Sequence, residues 1–216
     1  MSTTRSRPHE WVPWSALGAM LGAVLWTAMP WVQRIALGTR PYVATAYDVV
    51  ACAGWLLMVW GLVGFRSTFR AQYGRLGRVG VWTTGVGMAL VAVVLARAVV
   101  AFVDAGFRAV PATGEDPAGL VVTITAFLGL GVTLTGAGVL GVALRRLEGP
   151  TFSASLLLVG AAVVPALVVG LRFLSLLPLA LGMLVVRTPL VLVPFGVGWL
   201  ALGRLVWTVS RHDRST

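Results

Sequence analysis

Long apolar stretches separated by short polar segments dominate the hydrophobic pattern of this chain. Each stretch has about 17–25 residues or slightly more, the length that a helix needs to cross the hydrocarbon core of a bilayer. The two-residue alternation that barrel strands would show is absent. The pattern therefore predicts an all-α, polytopic transmembrane bundle, because helices satisfy their own backbone hydrogen bonds in lipid. The predicted spans are about residues 12–31, 43–65, 79–102, 119–144, 153–171 and 188–207.

Prolines mark both ends of the first predicted span. Pro13 stands at its start, where a helix tolerates a residue without a backbone N–H, and Pro30 is expected to close it. Arg5 and Arg7 precede this stretch, as basic residues do in a signal peptide, but no small-x-small cleavage site follows it. We therefore expect the first span to be retained.

The stretch over residues 153–209 is the ambiguous part of the pattern. It contains Arg172 and Arg187, and the 14-residue apolar segment between them is short for a span and interrupted by Pro178. We predict two spans joined by an outer segment that lies at the interface or dips into it. A third span here would make seven in total and would move the C-terminus across the membrane.

The charges are almost all arginine, with 17 basic residues and no lysine. If the chain has six spans and a cytoplasmic N-terminus, eleven arginines lie inside and five outside, and Arg97 lies within the third span. The loop over 104–118 carries three of the seven acidic residues, more than any other loop, which suits an outer position. The positive-inside rule thus favours six spans with both termini cytoplasmic, in a single integral membrane domain covering residues 1–216.

Composition narrows the class of protein further. The chain is 58% hydrophobic and 11% charged, against roughly 25% charged residues in a soluble domain. The net charge is +10. The basic residues lie between the apolar stretches and do not form one basic stripe, so we expect them to orient the chain in a membrane and not to bind nucleic acid. The absence of lysine beside many Ala, Val, Gly and Leu residues is typical of a GC-rich genome. The expected location is therefore a prokaryotic plasma membrane.

Pairs of small residues four apart predict where helices pack closely, because lipid provides no hydrophobic force between helices. Gly18 and Gly22 form such a pair in the first span. The fourth span has three pairs, so we expect it to be the central helix; internal packing is preferred over the alternative, a dimer interface. These pairs are Gly129 with Thr133, Gly131 with Thr135, and Ala137 with Gly141.

The predicted cytoplasmic loop Phe65–Arg78 has the sequence FRSTFRAQYGRLGR. Phe69 and Tyr73 are four residues apart, as are Arg66 and Arg70, so a short interfacial helix is possible. We prefer a simpler interpretation, in which the arginines of this loop only set the orientation of the chain.

Two ionisable residues lie inside predicted spans, and such residues are the usual functional candidates in a membrane protein. Asp48 and Arg97 both fall roughly 7–8 Å below the outer boundary at a rise of ~1.5 Å per residue, so we predict an intramembrane polar pair. The preferred role is a salt bridge between the second and third spans, or outward snorkelling of Arg97. The functional alternative is an outward-facing pocket in which Asp48 binds a proton or cation.

Three more arginines are candidate outer-leaflet anion or lipid contacts: Arg40, Arg172 and Arg187. The guanidinium group suits bidentate recognition of a phosphate, although snorkelling to lipid headgroups is the simpler explanation.

Motifs for chemistry are missing from the sequence. His9 and His212 lie outside the spans, Cys52 is the single cysteine, and no nucleophile elbow, Walker A or Cys-x-x-Cys motif is present. We therefore expect a non-enzymatic membrane protein without a cofactor or metal: a scaffold, an accessory subunit or a lipid-contacting module. Its expected partners are membrane lipids and a second copy or another membrane protein. The alternative is a small permease or exporter that uses the region of Asp48 and Arg97.

Overall fold

The protein is a bundle of helices in a computed structural model that describes residues 11–38, 42–111, 117–146, 154–163 and 192–215. The six described helices are α1 (Val12–Leu37), α2 (Ala46–Phe69), α3 (Gly74–Asp104), α4 (Pro117–Leu144), α5 (Ala154–Val163) and α6 (Leu192–Ser215). Two short strands, β1 (Tyr42–Ala44) and β2 (Val110–Pro111), pair antiparallel after α1 and α3.

The predicted all-α membrane bundle is confirmed. Within the described residues, five helices are long and apolar enough to cross a membrane: α1, α2, α3, α4 and α6. The 10-residue helix α5 lies where the fifth span was predicted. The number of spans and the side on which each terminus lies stay predictions. The segment over residues 172–187, for which we expect an interfacial position, lies outside the described residues.

The prediction that Pro30 ends the first helix is wrong. Helix α1 contains Pro30 and continues for seven more residues to Leu37. A proline in a helix leaves the carbonyl four residues earlier without its backbone donor. In lipid, however, leaving the helix would expose every following backbone group, so the chain stays helical. The helix ends at Gly38, which has a φ of 72° and donates its N–H to the Arg34 carbonyl oxygen at 2.9 Å.

The segment after Phe65 forms no separate interfacial helix. Helix α2 continues to Phe69 and α3 begins at Gly74, so four residues make the turn. Phe69 and Tyr73 are buried, at 1% and 5% exposure. Both rings stack on Phe65, with centroids 4.9 and 5.9 Å away. These aromatic side chains therefore fill the core of the bundle instead of contacting lipid, and this contact holds the turn against α2 and α3.

The helices contact one another in chain order from α1 to α4, and α6 packs back on α1 and α2. Helix α5 joins α4 to α6: Gly141 lies close to the Ser155 backbone, and Gly198 lies close to Ala161. Among the described residues, α2 contacts α1, α3 and α6, whereas α4 packs on α3 and α5 and leaves Phe127 and Leu128 68% and 60% exposed. The expectation that α4 is the central helix stays a prediction.

Helices α3 and α4 pack through the same spacing of small residues, Gly-x-x-x-Thr-x-x-Gly, running in opposite directions. On α3 the motif is Gly80, Thr84 and Gly87; on α4 it is Gly129, Thr133 and Gly136. A Cβ added at Gly80 would lie 2.7 Å from the Leu140 backbone nitrogen. Because the backbones of α3 and α4 touch, only glycine fits at the glycine positions of the two motifs.

The two buried threonines of this interface, Thr84 and Thr133, are satisfied within their own helices. Each hydroxyl donates to the carbonyl oxygen four residues earlier, at 2.7 Å to Gly80 and 2.8 Å to Gly129. The interface therefore presents methyl groups and bare backbone, and it leaves neither hydroxyl unpaired in lipid.

The core beside α2 is filled by large side chains. Trp55, Met58 and Met88 are all 0% exposed, and the Trp55 indole N–H donates to the Met88 carbonyl oxygen at 2.8 Å. This hydrogen bond joins α2 to α3 in the middle of the bundle.

Candidate functional site

A small polar network lies at the start of α2, where sequence analysis places Asp48. Thr45 is 2% exposed, and its hydroxyl donates to Asp48 Oδ2 at 2.7 Å. The Asp48 backbone N–H donates to the Thr45 carbonyl oxygen at 3.1 Å, and Gln33 Nε2 donates to Thr45 Oγ1 at 3.4 Å. The half-buried carboxylate is thus held in the first turn of a helix, where the helix dipole favours negative charge.

The structure does not bring Asp48 and Arg97 together. Both side chains are described, and no ion pair joins them; Arg97 lies on an exposed face of α3. Asp48 instead accepts a hydrogen bond from Thr45, three residues before it in the chain. A functional role for either residue stays a prediction. The other three candidates, Arg40, Arg172 and Arg187, lie outside the described residues.

A groove lies on the outside of the described bundle, between α4 and α5. Its volume is about 610 Å³, and its floor is formed by Gly131, Thr135 and Gly138 of α4. Phe127 lies at one end of the groove and Val142 at the other. We call this feature the α4–α5 groove.

The floor of the α4–α5 groove repeats the spacing that binds α3. Gly131, Thr135 and Gly138 have the same Gly-x-x-x-Thr-x-x-Gly order as the α3-facing stripe, displaced by two residues. Two residues turn a helix by about 200°, so the second stripe faces the opposite way. The Thr135 hydroxyl donates to the Gly131 carbonyl oxygen at 2.9 Å, and a Cβ added at Gly131 would meet no atom of the described residues within 4 Å.

Sequence analysis identifies these residues as a packing pair of small residues. Gly131 with Thr135 is expected to be an internal packing pair, and among the described residues it lies on an open face. The sequence contains a signal that the two stripes face different ways. They have identical spacing but are offset by two residues, and a single helix face cannot hold both. By contrast, Gly129 with Thr133 packs on α3, and Gly141 packs on α5, as predicted.

One end of the bundle is strongly basic. The two described carboxylate side chains, those of Asp48 and Asp104, lie at the other end. Two of the basic-end arginines sit over indole rings: Arg66 Cζ lies 4.9 Å from the ring centroid of Trp82, and Arg211 Cζ lies 4.4 Å from that of Trp207. The described arginines of this end are Arg66, Arg70, Arg75, Arg78, Arg145, Arg146, Arg204 and Arg211.

An aromatic row crosses the bundle from α1 through α2 to α6. Trp26 and Trp55 have ring centroids 4.5 Å apart, and Phe195 lies 6.0 Å from both Trp55 and Trp199. The indole nitrogens of Trp26 and Trp199 and the hydroxyl of Thr27 are buried without a hydrogen-bond partner. Each such group costs free energy, whereas each aromatic pair contributes about 0.5–1.5 kcal/mol. The row is therefore held by ring packing.

Comparison with known proteins finds no matching family model, no similar curated protein and no similar solved structure. The physical properties of the chain itself are therefore the only basis for inferring its function.

Proposed function

We propose that this protein is a non-enzymatic, multi-pass protein of a prokaryotic plasma membrane that works as a lipid-contacting module, with both termini in the cytoplasm. The observation that carries the proposal is where the described bundle is filled and where it is open. The middle of the bundle is filled by Trp55, Met58 and Met88, whereas the α4–α5 groove lies on the outside of the described helices, the surface that the proposal places in the hydrocarbon. A protein built this way contacts its partners through its outer surface.

The polar groups support the same proposal. Thr84 and Thr133, which could otherwise line a path at mid-depth, are bonded to their own helices. The Gln33–Thr45–Asp48 network is confined to one end of α2. Transporters place substrate and ion sites near the midplane, at broken helices, and no observation on the described helices favours that arrangement. The permease alternative therefore has less support than a lipid-contacting role.

A flux measurement tests the proposal. The full chain is reconstituted into liposomes that contain a trapped pH dye, and an imposed pH gradient is followed. We expect the gradient to decay as in protein-free liposomes, for the wild type and for Asp48→Asn alike. Asp48→Asn should affect stability alone, because an amide oxygen is a weaker acceptor for the Thr45 hydroxyl than a carboxylate.

Thr45→Val is the matched control, since it removes the donor and keeps the carboxylate. A wild-type protein that dissipates the gradient, together with an Asp48→Asn variant that folds but does not, would establish the permease alternative instead.

A further inference from the structure

We propose that the α4–α5 groove binds an acyl chain of an anionic phospholipid, and that the phosphate of this lipid lies against Arg75 and Arg146. This inference rests on the proposed lipid-contacting function and names the ligand that the groove receives. Three properties of the described residues support it: the shape of the groove, its length, and the charge at its end.

The shape of the groove suits a thin, flexible chain. Its floor is the Gly131–Thr135–Gly138 stripe, and no atom of the described helices occupies the space above Gly131. Because the Thr135 hydroxyl bonds back to its own helix, it does not demand a polar partner from the ligand. An apolar ligand therefore leaves no hydrogen-bonding group unsatisfied in this groove.

The length of the groove matches a lipid tail that starts at the membrane interface. Phe127 and Val142 are 15 residues apart along α4, which corresponds to about 22 Å at 1.5 Å per residue. One leaflet of the hydrocarbon core is roughly 15 Å thick. An extended acyl chain can thus follow α4 through a whole leaflet without leaving the groove.

The charge at one end of the groove suits a phosphate. Arg75 precedes Leu76, which lines the groove, and Arg146 stands one helical turn beyond Val142; both arginines are exposed. Guanidinium groups bind phosphate in a bidentate manner. The start of α3 at Gly74 adds to this charge, because its first turn contains no acidic residue and its N-cap residue makes no side-chain hydrogen bond.

The same charges argue against a second copy of the chain in the groove. A two-fold axis along the membrane normal would place α4 beside its own copy in a parallel orientation. It would then bring each Arg146 close to the Arg146 of the other copy, and like charges at a contact are unfavourable. A phospholipid with a net negative headgroup meets the arginines with the opposite charge.

The test measures lipid binding to the purified full-length protein in a neutral detergent by native mass spectrometry. The probes are palmitoyl-oleoyl phosphatidylglycerol, the matching phosphatidylcholine, and inorganic phosphate. We expect tightest binding of phosphatidylglycerol and no retention of inorganic phosphate, because phosphate has no chain for the groove. Arg75→Gln and Arg146→Gln should each weaken phosphatidylglycerol binding about fivefold, since one arginine near a charged headgroup contributes about 1 kcal/mol. Arg204→Gln, an exposed arginine of the same end on α6, should leave it unchanged.

Gly131→Leu fills the groove and should abolish binding of both lipids. Its matched control is Gly160→Leu, because a Cβ added at Gly160 would also meet no described atom within 4 Å, yet Gly160 does not line the groove. Thr135→Leu, at an exposed position of the same floor, repeats the test if Gly131→Leu does not fold.

Three results would overturn the inference. The first is equal binding of the two lipids, unaffected by Arg146→Gln. The second is retention of inorganic phosphate that Arg75→Gln and Arg146→Gln weaken, together with lipid binding that Gly131→Leu does not change. The third is a dimer that Gly131→Leu dissociates, which would assign the groove to a partner helix. None of these results involves the pH gradient, so the inference can fail while the proposed absence of flux still holds.

Discussion

Single glycines decide how closely the helices of this bundle approach one another. Along α3, Gly87 lies against the backbone of α4, and a Cβ there would be 2.7 Å from the Gly129 carbonyl oxygen. Two residues earlier, a Cβ at Gly85 would meet only Leu62 Cδ2, at 3.9 Å. Two glycines of one helix thus have opposite consequences, because the first faces a neighbouring backbone and the second faces a side chain.

We expect Gly87→Ala to lower the free energy of unfolding by about 1–3 kcal/mol, the usual cost of adding a methyl group to a filled interface. Gly85→Ala, the matched control, should be neutral or stabilise the protein by up to about 1 kcal/mol through higher helix propensity. Denaturation in mixed detergent, followed by circular dichroism, measures both. Equal effects of the two substitutions would contradict the close α3–α4 contact.

Sequence alone can predict that small residues mediate packing but not which helix each stripe meets. The stripes of Gly129 and Gly131 are identical in spacing, and their roles depend on how α4 is rotated in the bundle. The rotation is set by distant residues on α3 and α5, and no local pattern encodes it. The same limit applies to Asp48, for which the sequence suggests a partner on another helix although Thr45 stands three residues away.

The helices themselves can be predicted well, with errors confined to their ends. Four of the six predicted spans begin and end within about five residues of α1 to α4, apart from the extension of α1 to Leu37. The error at Pro30 has a clear cause: proline ends helices in water, where exposed backbone groups find new partners, but lipid supplies none. The turn after α2 escapes prediction because the burial of Phe69 and Tyr73 depends on tertiary contacts.

Replacing Pro30 tests whether it lies inside a helix. Pro30→Ala restores a backbone N–H for the Trp26 carbonyl oxygen, so we expect stability to increase by up to about 3 kcal/mol, the propensity difference in a helix interior. Pro13→Ala is the control, because Pro13 occupies the first turn, where its missing N–H costs nothing. Thermal unfolding in detergent gives the comparison. No gain at Pro30, or an equal gain at Pro13, would show that α1 ends where the sequence pattern predicted.

Charge and apolar area together organise the whole molecule. Arginines at one end, an apolar outer surface and a filled interior of the described helices fit a bundle whose solvent is hydrocarbon. The proposal that the basic end faces the cytoplasm follows from the positive-inside rule. Composition is enough to predict this class of protein. The α4–α5 groove could not be predicted, because it forms only when two helices with particular exposed faces lie side by side. Every functional proposal above requires that the bundle crosses the membrane in one orientation.

Cysteine labelling in intact cells measures that orientation. In a Cys52→Ser background, Arg70→Cys and Phe107→Cys place single thiols at exposed positions on opposite ends of the bundle. A membrane-impermeant maleimide should label Phe107→Cys in intact cells and Arg70→Cys only after the cells are permeabilised. Labelling of Arg70→Cys in intact cells, or recovery of the protein from the aqueous fraction without detergent, would contradict a membrane-spanning bundle with its arginines inside.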